Sequence, residues 1–265
     1  MHRPAVCVRG FTLVELAVVL LVVSLIFGGV SLSLSRTRDI HHFRKTQAQL
    51  TEIKGALLGF AAATGRLPCP ASATSNGQES LCLAESGTCD AVASPPTEAT
   101  SHGRCSNPYD GFLPGMTLGL PGLDTNGFAL DSWGSRFRYA IADANVEPLQ
   151  HLFTRADGMK SATMAAIFNK TLLSICSSAT SLNGTTCGAA TLLSNSAVAV
   201  IFSPGRNAVS GGIGADESAN LDGDAFFVSH TQTSADSPGG EFDDLVTWIG
   251  TSVLFNRMIA AGKLP

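Results

Sequence analysis

The 265-residue chain contains little charge: only 14% of its residues are Asp, Glu, Lys or Arg, and its formal net charge is −4. Proteins that bind nucleic acid through its phosphates carry clustered positive charge. The excess of acidic residues gives no support for such a partner, and we predict none. The length is sufficient for one hydrophobic core.

The sequence also lacks the motifs that mark common enzyme active sites. Ser203 lies in Ser-Pro-Gly rather than in the Gly-x-Ser-x-Gly turn of a hydrolase. The glycine-rich stretch 211–214 has no lysine after it, which excludes a phosphate-binding P-loop. The histidines at 102, 151 and 230 show neither metal-ligand spacing nor the order of a catalytic triad. We therefore predict no catalytic residues and no enzyme activity.

Proline is absent from Phe11 to Arg66, so nothing in this stretch forbids a long helix. Between Phe11 and Val30 only Thr12, Glu15 and Ser24 carry polar side-chain groups. A helix of this length is about 30 Å long, which is the thickness of the hydrocarbon core of a bilayer. The run is therefore either a membrane-spanning segment or a signal peptide.

Glu15 argues against an ordinary signal peptide, as does the length of the run. A secretory signal has a shorter apolar core followed by a small-residue cleavage site, for which the serine-rich stretch 31–35 is a candidate. A carboxylate costs about 3 kcal/mol at the centre of a bilayer, so Glu15 is a candidate functional residue that needs a cationic partner. Cleavage between Gly10 and Phe11 would create an amine four residues before it. The alternative is that Glu15 lies at the headgroup level of an ordinary anchor.

The order Arg9-Gly10-Phe11-Thr12-Leu13-Val14-Glu15-Leu16 resembles the prepilin cleavage and methylation motif of type IV pilins and type II secretion pseudopilins. The resemblance implies that a prepilin peptidase cleaves after Gly10 and that Phe11 becomes the N-methylated first residue. It also implies that Glu15 neutralises the amine of a neighbouring subunit during filament assembly. The expected partners are this peptidase, the inner membrane, and other pilin or pseudopilin subunits bound through the N-terminal helix.

The motif divides the chain into a leader (1–10), a transmembrane and stem helix (11–64) and a head (65–265). Apolar positions recur at three and four residues as far as Ala61, which predicts an amphipathic stem that ends at Gly65. The basic cluster after the apolar run would by itself favour a cytoplasmic head. The motif instead implies a single-pass inner-membrane protein with a periplasmic head, which later becomes part of a pilus or pseudopilus.

The cysteines agree with an exported head. Cys7 lies in the leader, and the mature chain holds six cysteines, an even number that predicts three disulfides. No Cys-x-x-Cys pair is present, which disfavours the alternative of a zinc site. The sequence does not select among the possible pairings. Nearness favours Cys82–Cys89 and Cys176–Cys187, which leaves Cys69–Cys105.

The head is expected to be α+β. Residues 65–130 combine proline, glycine and four cysteines, which predicts an irregular loop tied by disulfides, and residues 131–265 hold the sheet and C-terminal elements. The segment Asp131–Tyr139 resembles the Trp-Gly strand entry of major pseudopilins, with Trp133 as a core anchor. The resemblance implies a type IV pilin-like fold, in which the long N-terminal helix packs on a small antiparallel sheet. Strands are predicted near 137–141, 197–202, 225–229 and 245–249, and short helices at 164–175 and 253–261.

Two segments, 202–208 and 239–245, resemble the calcium-holding loop of major pseudopilins. The ligands that this resemblance implies are Asp222, Asp224 and Asp243, since Ca²⁺ takes carboxylate and carbonyl oxygens. The alternative is a solvated acidic loop.

The chain is therefore expected to be a structural subunit of a type IV pilus or of a type II secretion pseudopilus. Its sequence distinguishes neither between these two systems nor between major and minor subunits. The alternative, from another functional class, is a membrane-anchored or secreted periplasmic binding or adhesive protein that does not assemble into a filament.

Overall fold

The computed structural model describes residues 12–89, 92–93, 101–162, 164–168, 170–208, 214–237 and 239–264; for 25–37, 92–93 and 164 it describes the secondary structure alone. The chain divides into two units, residues 1–44 and 45–265. The predicted cleavage and methylation residues, Gly10 and Phe11, lie outside the described residues.

The described chain is a mixture of helices and short strands, as the α+β prediction requires. The helices are α1 (Leu13–Thr64), α2 (Gly115–Leu118), α3 (Gly158–Ser161), α4 (Met164–Phe168), α5 (Ala215–Ala219) and α6 (Thr251–Ala260). The strands are β1 (Leu81–Cys82), β2 (Val92–Ala93), β3 (Gly111–Phe112), β4 (Arg138–Ile141), β5 (Leu173–Cys176), β6 (Leu192–Ser203), β7 (Phe226–Val228) and β8 (Leu245–Gly250).

Helix α1 ends at Thr64 because Gly65 adopts a left-handed conformation with φ of 83°, and its N–H donates to the carbonyl of Ala61. Within the unit 45–265, one stripe of the helix is buried, at the period of three and four residues that the sequence predicts. The buried residues are Thr46, Leu50, Ile53, Leu57 and Ala61.

No helix in the described part of the chain has the combined length and apolarity of a membrane span. The predicted apolar run Phe11–Val30 lies partly outside this description, because Phe11 and the side chains of residues 25–30 are not described.

The main sheet has the strand order β3-β4-β6-β5-β7, and β8 also pairs with β6. Strand β6 is central, and all its residues from Ala197 to Ser203 are buried. The sheet is antiparallel as expected, except that β5 and β7 pair in parallel. Parallel neighbours need a long connection, and the chain between β5 and β7 supplies it with β6 and α5.

The prediction of a helix at 164–175 is wrong for the second half of that segment. Helix α4 ends at Phe168, and Leu173–Cys176 forms β5, in which all four residues are buried. This strand pairs with β6 on one side and β7 on the other. Pairing on both sides therefore overrides the helical spacing of the apolar residues.

Candidate functional site

The start of α1 holds Glu15 in a capping box. The hydroxyl of Thr12 accepts the N–H of Glu15 (3.2 Å), while Glu15 Oε2 accepts the N–H (3.2 Å) and the hydroxyl (3.1 Å) of Thr12. This reciprocal arrangement satisfies two N–H groups that have no partner within the helix. Oε1 of Glu15 accepts no hydrogen bond from the described residues, and the side chain is exposed. Thr-x-x-Glu before an apolar run is the signal for this box, and sequence reasoning did not use it.

In the head, the structure gathers three buried carboxylates. Glu217 lies in α5, while Asp243 and Asp244 directly precede β8, and one carboxylate oxygen of each lies within 4.8 Å of the others. Close backbone packing brings these segments together. A Cβ on Gly205 would collide with Asp243, and a Cβ on Gly214 would collide with the carbonyl of Glu241.

Hydrogen bonds hold Asp243 and Glu217 in place but leave one oxygen without a donor. Asp243 Oδ2 accepts the backbone N–H groups of Arg206 (3.0 Å) and Asn207 (3.2 Å). Glu217 accepts both the side-chain amide of Asn207 (2.9 and 3.0 Å) and the N–H of Asp243 (2.9 Å). Oδ1 of Asp243 is buried and has no hydrogen-bond partner among the described residues.

The cluster resists full ionisation. Burial, and then the charge of Glu217, raises the pKa of Asp243 to about 6. Burial raises the pKa of Asp244 to about 8, although the amide of Asn220 donates to its Oδ2 at 2.8 Å. Either bound protons or a cation can compensate several buried negative charges. Three carboxylates and an unpartnered Asp243 oxygen are a donor set that suits a hard divalent cation such as Ca²⁺.

Of the three predicted calcium ligands, only Asp243 belongs to this cluster. Asp222 Oδ1 accepts the N–H of Asp224 (3.0 Å), and Asp224 Oδ1 accepts the N–H of Phe226 (2.7 Å), so both side chains cap the turn into β7. Sequence reasoning missed Glu217 because it lies far from Asp243 along the chain and in no shared motif.

Asp131 organises the predicted turn before β4. Its Oδ1 accepts the N–H groups of Trp133 (2.9 Å) and Ser135 (2.8 Å), and its Oδ2 accepts the hydroxyl of Ser203 at 2.6 Å. The carboxylate therefore ties this turn to the end of β6. Trp133, predicted as a core anchor, is only half-buried.

Residues 7–31 match the family model of the prokaryotic N-terminal methylation motif. The chain carries the prepilin-type signature of type IV pilins and pseudopilins. This confirms the resemblance seen at Arg9–Leu16. No curated protein and no solved structure matches the chain.

The prepilin-type signature supports a pilin-like or pseudopilin-like precursor that is anchored in a membrane. Proteins that carry it are usually structural subunits rather than enzymes. The signature covers only the N-terminal part of the chain, so the head is interpreted from its own geometry.

Three disulfides stabilise the head. Their Cα–Cα distances are 5.3, 5.3 and 5.6 Å, which suit this bond. Two of them lie in the irregular segment 65–130, where regular hydrogen-bonded structure is sparse. The pairs are Cys82–Cys89 and Cys176–Cys187, which nearness favoured, and the remaining Cys69–Cys105.

Proposed function

We propose that this chain is a structural filament subunit with a type IV pilin-like fold, assembled into a type IV pilus or a type II secretion pseudopilus. A prepilin peptidase of the inner membrane cleaves after Gly10, and Phe11 becomes the N-methylated first residue. The observation that carries the proposal is the match of residues 7–31 to the methylation motif. The head is periplasmic before assembly, and the partners are other pilin-like subunits bound through the N-terminal helix.

The chemistry of assembly centres on Glu15. The amine of a neighbour's Phe11 is a cation that needs a carboxylate in apolar surroundings, where an unpaired charge is costly. The capping box engages Oε2 of Glu15 with Thr12. Oε1, which accepts no bond from the described residues, is the oxygen that the neighbouring amine would reach.

The test replaces Glu15 with Gln in the native host and scores cleavage, membrane content and incorporation into sheared filaments. Gln can still act as the acceptor of a capping box, so the substitution removes charge while keeping the helix start. We expect cleaved protein that is incorporated at least tenfold less than the wild type, because breaking a buried charge pair costs about 3–5 kcal/mol. Glu52→Gln, on an exposed position of the same helix, is the matched control and should assemble normally.

Normal incorporation of Glu15→Gln would contradict the proposed pairing. A protein that is processed and stable but never found in filaments, even as the wild type, would favour the alternative of a periplasmic binding or adhesive protein.

We also propose that the acidic cluster binds Ca²⁺ through Glu217, Asp243 and Asp244. The buried, unpartnered Oδ1 of Asp243 favours this proposal over a solvated acidic loop. Calcium should raise the Tm of the wild type relative to EDTA, and Asp243→Asn should remove the increase. Asp222→Asn is the matched control, because Asp222 was an expected ligand but lies outside the cluster. Loss of the calcium effect in Asp222→Asn alone would instead favour the ligand set predicted from the sequence.

A further inference from the structure

A polar groove of about 430 Å³ lies on the head, where residues from α1, β6, β8 and the start of α6 approach one another. Its volume is in the range of small-molecule sites. Trp248 and Lys54 line it together with hydroxyl-bearing residues, among them Ser194, Ser196, Thr247 and Ser252. Trp248 is opposite Val200 in the register of β8 and β6, so both side chains lie on the same face of the sheet.

The side chains that line the groove offer an ammonium, an indole N–H and hydroxyl groups. None of them is a carboxylate. Lys54 is half-buried as a residue, and its ammonium forms no ion pair or hydrogen bond with the described residues. The indole N–H of Trp248 and the hydroxyl of Ser252 likewise have no partner within the described part of the chain.

The charge of this groove is positive, whereas the net charge of the head is negative. Residues 65–265 contain 18 acidic and 10 basic residues. An ammonium without a counter-charge is therefore unusual on this acidic head, and it favours a ligand that carries its own negative charge.

We propose that the groove binds a carboxylated saccharide, such as a uronic-acid-containing oligosaccharide. The indole of Trp248 offers an apolar surface with a polar edge, which suits the C–H face and the hydroxyl rim of a sugar ring. The serine and threonine hydroxyls pair with sugar hydroxyls, and the ammonium of Lys54 pairs with the carboxylate. A neutral sugar can contact the indole and the hydroxyls, but it leaves the ammonium of Lys54 unpaired.

The chain contains two tryptophans, Trp133 and Trp248, so a Trp133→Phe background makes Trp248 the only indole reporter. The full chain in detergent is titrated with a hyaluronan tetrasaccharide and with its carboxyl-reduced neutral form, and the emission of Trp248 is recorded. We expect saturable quenching by the acidic sugar and about fivefold or greater weakening on carboxyl reduction, which corresponds to one partly screened ion pair.

Lys54→Gln in the same background should bind both sugars equally, with the affinity of the wild type for the neutral form. Lys160→Gln, an exposed cation elsewhere on the head, should keep the preference for the acidic sugar. Isothermal titration of Trp248→Leu, with its Tm as the check of folding, should show loss of binding to both sugars.

Three outcomes of the titrations would overturn the proposal. They are no saturable change with either sugar, equal affinity of the unsubstituted groove for both sugars, and the same quenching by inorganic phosphate at matched ionic strength. A change of Trp248 emission with protein concentration alone would assign the groove to contact between copies of the chain, and would also overturn it.

Discussion

Side chains near Glu15 are held by contacts within one helical turn, whereas those of the head are held by contacts between distant parts of the chain. Glu15 is held by Thr12, three residues away, within the first turn of one helix. In the head, Asp131 binds Ser203, and Glu217 binds the segment that carries Asp243, so each contact joins distant parts of the chain.

This difference determines where function can be recognised. A site built within one helical turn leaves a continuous motif in the sequence, and residues 7–31 match such a motif. A site assembled from separate loops depends on the fold, and its residues can be identified only once the fold is known. Mutations in the N-terminal segment should therefore affect assembly, and mutations in the head should affect stability.

The largest stability effect is expected at the buried ion pair of the head. Glu79 accepts two bonds from Arg66, at 2.6 and 2.7 Å, and a third from the N–H of Cys69, and it is 1% exposed. Glu79→Ala leaves the arginine uncompensated and should cost about 3–5 kcal/mol. The measurement is denaturant unfolding of the full chain.

Glu85→Ala is the matched control, because Glu85 pairs with Arg155 at 3.1 Å but is half exposed. It should cost less than about 1 kcal/mol. Cleavage at Gly10 should be unchanged in both variants. An equal loss of unfolding free energy in the two variants would show that burial does not determine how much an ion pair stabilises the head.

A second prediction ranks two disulfides of the head. Cys69–Cys105 closes a segment with a sequence separation of 36, and Cys82–Cys89 one with a separation of 7. Loop-closure entropy gives about 4 kcal/mol for the longer bridge and about 2.5 kcal/mol for the shorter one. Replacing each pair with serines and measuring unfolding should show this order. The reverse order would mean that native contacts, rather than unfolded-chain entropy, dominate their effect.

The sequence predicted the local features well and the long-range ones poorly. The methylation motif was readable because its residues are adjacent, and β6, β7 and β8 lie near their predicted positions because β-branched and aromatic residues concentrate there. The strand at Leu173–Cys176 was mistaken for helix, since its pairing partners lie outside the segment. Glu217 was missed for the same reason, because only the fold places it beside Asp243.

The acidic cluster predicts an unusual dependence of stability on pH. The pKa values of Asp243 and Asp244 are raised to about 6 and about 8 in the folded chain. The folded state therefore binds more protons than the unfolded state between about pH 4 and pH 8, so stability falls as pH rises through this range. In EDTA, Tm should fall by about 5 °C or more between pH 5 and pH 8.

Saturating Ca²⁺ should flatten this dependence, because a cation compensates the carboxylates that lose their protons. A Tm that rises with pH in EDTA would show that the carboxylates are fully ionised in the folded head.

The smallest effect is expected at the capping box. Thr12→Val removes the hydroxyl that accepts the N–H of Glu15, and the loss of such a cap costs about 1 kcal/mol. Hydrogen exchange of the first-turn amides of α1 should become faster, while the Tm of the head should not change. Unchanged exchange would mean that the first turn does not depend on this cap.

The mass of the mature N-terminus tests whether the chain is processed as a prepilin. The full chain is expressed in its native host, extracted from membranes and analysed by mass spectrometry. We expect that the first residue is N-methyl-Phe11 and that Met1–Gly10 are absent. A mature chain that begins near Ser35, or one that keeps Gly10 joined to Phe11, would contradict it.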